Sequence, residues 1–205
     1  MDGGKGQEKL PVPEETPYLK PYHMRKVKKK EEDVWKPLWK FPREEQTTFE
    51  EIPYMPYPEL KDLIETVKRE CKTLDDLLYN IRVTRTRPYS RIAAIVFKST
   101  NTSVEDACKG VGEKEVVDYV RKLKLCNLPK ITVYRGSVEG SEILAGDWIA
   151  LEYDLASWYG IVKRKNVSPS EIVWAGTYPR EWYYIPSKLK GMSIQQFWRL
   201  VESAP

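Results

Sequence analysis

Two groups of basic side chains are the first places to look for chemistry. Arg25, Lys26, Lys28, Lys29 and Lys30 form the run RKVKKK among prolines and aromatic residues. Such a run can neutralise phosphates and release their counterions. Glu31, Glu32 and Asp33 follow at once, so the same segment also reads as a solvated stretch with paired opposite charges. Arg82, Arg85, Arg87 and Arg91 crowd around Pro88 and Tyr89; guanidinium forks at that density suit a phosphate-binding loop and a solvated edge equally well. Glu171 and Glu181 could form a hydrolytic carboxylate pair, but sequence does not fix their separation. His23 is the only histidine and has no acid or cysteine at ligand spacing, which leaves histidine-based general-base chemistry without support. Cys71, Cys108 and Cys126 are widely spaced. They match neither a zinc pattern nor an even disulfide framework and read as buried thiols in a reducing compartment, with no metal expected.

The elements that would position these residues fall into three parts. Residues 1–58 hold nine of the 15 prolines, together with Tyr18, Tyr22, Trp35, Trp39, Phe41, Phe49, Tyr54 and Tyr57. Proline removes donors and fixes φ, so an extended segment is expected that straps across its own domain or binds a partner chain. Residues 59–129 carry helical periodicity. Leu60, Leu63, Ile64, Val67 and Cys71 share one face. Thr73 with Asp76, and Ser103 with Asp106, resemble capping pairs. Ile92–Phe97 is an apolar run that periodicity leaves open between helix and strand, and 113–125 forms a further helix with Val116, Val117, Val120 and Leu123 inward. Residues 130–205 read as strands joined by turns, with apolar clusters at Ile131 and Val133, at Trp148, Ile149 and Leu151, and at Ile172, Val173 and Trp174. Ser193 caps a closing helix with Ile194, Phe197, Trp198 and Val201 on one face.

Length and charge limit the function classes. At 205 residues the chain fits one domain, 59–205, with an extension. The net charge of +4 gives no whole-molecule nucleic-acid field. No apolar run is long enough for a membrane span and no secretory signal is legible, so a cytoplasmic protein of a host cell, or one carried within a virion, is expected.

The order ITVYRG, GDWIALEYDLASWYG, SEIVWAGTYPREWYYIP resembles the ADP-ribosyltransferase superfamily, particularly its small phage and mobile-element domains, over roughly residues 130–190. The resemblance implies an α+β fold, a helical N-terminal half followed by a mainly antiparallel split sheet of that type. It implies NAD as substrate, with Arg135 and Gly136 at the pyrophosphate, Tyr153, Trp158 or Tyr159 against the nicotinamide ring, and Glu181 stabilising an oxocarbenium-like state. Ala150, Leu151 and Glu152 stand where members carry a hydroxyl. Pro179 stands where arginine-modifying members carry a second acid or amide, implying an acceptor other than arginine. The leading expectation is an NAD-binding mono-ADP-ribosyltransferase-like protein of viral or mobile-element character, acting on a protein or nucleic acid. Its rivals are a non-catalytic assembly protein of a virion or ribonucleoprotein, threaded in by residues 1–58, and an RNA- or DNA-binding module using the two basic groups.

Overall fold

The computed structural model describes residues 58–205. The basic run Arg25–Lys30 and the proline-aromatic stretch lie outside the described residues, apart from Pro58.

The helical half follows the apolar spacing. Helix α1 (Lys61–Glu70) buries Leu63, Ile64 and Val67, with Leu60 and Cys71 completing its face at either end. Helix α2 (Leu74–Val83) starts at the expected capping box, in which Thr73 accepts from the Asp76 N–H and Asp76 accepts from the Thr73 N–H. The open choice at Ile92–Phe97 resolves as helix α3 (Arg87–Lys98). Pro88 sits in its first turn, where a missing N–H leaves no intrahelical bond unmade. A second capping box, Ser103 with Asp106, opens helix α4 (Val104–Cys108), and helix α5 (Lys114–Lys122) follows. Helix α5 stops short of Leu125 because the chain turns through positive φ at Lys124 and again at Asn127.

One expectation is overturned here. Cys108, at the end of α4, and Cys126, in the turn after α5, form a disulfide, and only Cys71 is a buried free thiol. The antiparallel return of α5 against α4 brings together two residues whose sequence separation of 18 says nothing about their proximity.

Five antiparallel strands follow: β1 (Ile131–Ser137), β2 (Trp148–Ile149), β3 (Ile161–Val167), β4 (Ile172–Trp174) and β5 (Trp182–Tyr184). β1 and β3 form a two-stranded ribbon, and β2-β5-β4 form a three-stranded sheet. A single bridge joins them, with the Tyr134 N–H donating to the Ala150 carbonyl at 2.9 Å and the reverse bond at 2.8 Å. The strands therefore run β3-β1-β2-β5-β4. The domain is α+β with a small antiparallel split sheet.

Alternation sends the two faces to different cores. Ile131, Val133, Ile149, Ile172, Trp174 and Trp182 pack with Val104, Val116 and Val120 from α4 and α5. Val173 and Ile185 pack with Leu63 from α1, Ile92 from α3 and Phe197 from the C-terminal helix. Helix α7 (Ile194–Ser203) opens on a Ser193–Gln196 capping box and buries Ile194, Phe197 and Val201 as expected. Helix α6 (Tyr153–Ser157) is one short turn laid across β1 and β3.

Candidate functional site

Arg135 leaves β1 on the face of Val133 and reaches a buried carboxylate. Asp147, only 2 % exposed, sits just before β2 in a turn made possible by Gly146, whose φ is +81° and whose missing Cβ would meet the Arg91 carbonyl at 2.4 Å. Arg87 grips Asp147 in bidentate fashion, Nε to Oδ1 at 2.9 Å and Nη2 to Oδ2 at 2.7 Å. The Leu144 N–H donates to the same Oδ2 at 2.7 Å. Arg91, almost wholly buried in α3, donates Nε to the Ala145 carbonyl at 2.8 Å, stands 4.0 Å from Asp147 and pairs with Asp62. Hydrogen bonds to the Asp147 carboxylate hold the Arg87 guanidinium above its ordinary pKa.

Arg135 is the third guanidinium at this carboxylate and the worst served. Its Nε lies 3.7 Å from Asp147 Oδ1, already occupied by Arg87, and its Nη1 reaches the Ser141 carbonyl at 3.5 Å. Both distances exceed those of a charge-assisted hydrogen bond. The side chain is nevertheless only 14 % exposed. Burial first, and then the charges of Arg87 and Arg91, lower its pKa, with Asp147 opposing.

Gly136 has a different use from the one implied by the resemblance. A Cβ there would lie 1.8 Å from the Ala156 carbonyl of α6. The close approach this glycine permits is therefore that of the helix to the strand, which fixes the aromatic residues of α6 over the outer face of the ribbon. The Tyr153 ring meets Tyr134 edge-on at 5.7 Å, and Tyr159 meets Trp148 at 5.1 Å. Tyr153, Trp158 and Tyr159 are all more than half exposed. An open groove of about 560 Å³ runs along this side, lined by Tyr134, Glu142, Tyr153, Val162, Lys163 and Arg164.

Glu181 directly precedes β5. Its carbonyl accepts from the Ala175 N–H at 2.9 Å, and the β2–β5 register, Ile149 opposite Trp182, carries on to set it across from Ala150. Arg164, Tyr134, Ala150 and Glu181 thus form one transverse row on the face that α6 lies over. Arg135 belongs to the other face, beside Ile149. Burial alone pushes the Glu181 carboxyl up. The two residues that the resemblance pairs are therefore not brought together, whereas Glu181 shares its face with Tyr153 and Tyr159. Arg87 is tied to Asp147, and Arg85 lies exposed in the turn before α3.

Tyr134 and Arg164 are site residues that sequence reasoning did not single out, and Asp147 carried less weight in it than Arg135 and Glu181. An aspartate between a glycine and an apolar run was the available signal for Asp147. No protein-family model, curated protein or solved structure matches this chain. Among the described residues no group of acids, histidines and cysteines could hold a metal ion, and no described helix is long and apolar enough to cross a membrane.

Proposed function

We propose that this chain is a nucleotide-binding protein of ADP-ribosyltransferase-like type, and that Arg135 takes the pyrophosphate of an NAD-class dinucleotide. One observation carries the reading. Arg135 is a largely buried guanidinium whose one nearby carboxylate among the described residues is committed to Arg87 and to the Leu144 N–H. A buried cation held at long range by a shared anion is costly, and a phosphate oxygen with room for a forked contact satisfies the donors left over.

Bound NAD brings a glycosidic bond whose cleavage develops oxocarbenium character. The protein's contribution is the binding of its phosphates. Glu181, on the opposite face, does not take part in that contact. Titration of the full chain with NAD, followed by tryptophan fluorescence, tests the reading. Saturable binding that is lost in Arg135→Ala, with circular dichroism unchanged, is the expected result. No response up to about 1 mM, the upper end of useful substrate affinities, overturns it.

A further inference from the structure

The β1–β3 ribbon carries a charge pattern that the Arg135 site does not use. Its fourteen residues, seven in each strand, include Arg135, Lys163, Arg164 and Lys165 and no carboxylate. Lys165 is committed inward, donating to the Ile143 carbonyl at 3.2 Å and lying 4.3 Å above the Tyr184 ring. Lys163 lies 3.2 Å from Glu142. Arg164 has no carboxylate within ion-pair distance among the described residues, is exposed, and stands directly across from Tyr134.

Tyr134 and Tyr153 line the same groove as that guanidinium. Tyr153 stands edge-on to Tyr134 on the groove wall, and Trp158, 69 % exposed, ends α6 beside Tyr159. Farther along the same face, Thr132 and Asn166 form a paired hydroxyl and amide at 2.7 Å. The exposed acid on α6 is Asp154. Large rings left in water near an unpaired guanidinium, with neutral donors and acceptors farther on, match a chain of stacked bases on a phosphate backbone. A duplex offers its phosphates but hides its base faces, so the rings select the single-stranded form.

We propose that the outer face of the β1–β3 ribbon, with α6, binds single-stranded nucleic acid. Arg164 contacts the phosphate backbone, and Tyr153 and Trp158 stack on bases. This surface is independent of Arg135, which points to the other side.

Fluorescence anisotropy of the full chain with a labelled oligothymidylate of about 12 nucleotides, within the range of known single-strand sites, decides the matter when run beside the matching duplex. The expected result is tighter binding of the single strand, weakened roughly 5- to 100-fold by Trp158→Ala. Arg164→Ala should lower the slope of log affinity against log salt by about 0.7, the share of one phosphate contact. Arg135→Ala should leave the oligonucleotide affinity in place. Both varied side chains are exposed, so the fold is expected to persist, and circular dichroism checks this. Duplex binding as tight as the single strand overturns the proposal, as does oligonucleotide binding unchanged by both Trp158→Ala and Arg164→Ala, which would assign the affinity to another basic segment. No binding at low salt also overturns it and leaves these rings as a contact for protein.

Discussion

Asp147→Asn is the sharpest probe of the arginine cluster. The asparagine side-chain oxygen can still accept from the Leu144 N–H, now at 2.7 Å from Oδ2, so the substitution removes charge with little change of shape. What remains is Arg87, Arg91 and Arg135 around a neutral amide, with Asp62 compensating only Arg91. Removing one partner of a buried ion pair costs about 3–5 kcal/mol. The Arg87 side chain is 32 % exposed and can recover some hydration, so the lower end, about 3 kcal/mol, applies. For a domain near 150 residues this lowers Tm by about 6–12 °C. Thermal unfolding followed by circular dichroism at low and high salt measures it. The loss should change little with salt, because a buried pair is poorly screened. A drop under about 2 °C would refute the claim that this carboxylate holds the three guanidiniums in place.

Three other outcomes follow from particular contacts. Gly136→Ala forces a Cβ to within 1.8 Å of the Ala156 carbonyl, so α6 must lift; a loss of about 1–3 kcal/mol, with changed tryptophan emission from Trp148 and Trp158, is the expected reading in denaturant unfolding. Reduction of Cys108–Cys126, or Cys108→Ser with Cys126→Ser, reopens a loop with a sequence separation of 18 and should cost about 3 kcal/mol, seen as a lower Tm in the presence of dithiothreitol. Glu181→Gln tests the raised carboxyl. A carboxyl raised in the folded state binds protons more readily there than when unfolded, so its stability contribution is greatest at low pH and falls as pH rises through the unfolded and then the folded value. The glutamine variant should therefore match the parent below pH 4 and equal or exceed it in stability at pH 7, with NAD affinity unchanged.

Much of the helical half was legible because its information is local. Thr73 with Asp76 and Ser103 with Asp106 are each complete within four residues and cap helices as expected, as does Ser193, whose box Gln196 completes. The inward faces of α1, α5 and α7 followed from spacing alone. Strand β3 was not legible. Its sequence IVKRKNV has three adjacent cations, because it is an edge strand whose outer side chains face water, and edge strands are commonly charged. The Cys108–Cys126 bond was hidden because pairing depends on how α5 returns against α4, which is a tertiary fact. Arg135 and Glu181 looked like partners because both border strands in one sheet. Which face each side chain takes depends on register across three strands, and the joining contact is a single bridge at Tyr134 and Ala150.

That bridge also determines how the two surfaces relate. Had β1 paired with β2 one residue out of step, Arg135 would share a row with Ala150 and Glu181, since a one-residue slip moves every side chain to the opposite face. In the observed register Tyr134 takes that place, with Arg164 behind it. Arg135 is left to the Asp147 cluster, where its incomplete hydrogen bonding suits a phosphate, and the outer row keeps an aromatic ring between a guanidinium and a carboxylate. The two faces of one ribbon thus present two different chemistries. Variants at Arg135 and at Arg164 should fail independently, the first losing dinucleotide and the second losing the oligonucleotide, and their double variant should show additive losses measured in the same two titrations.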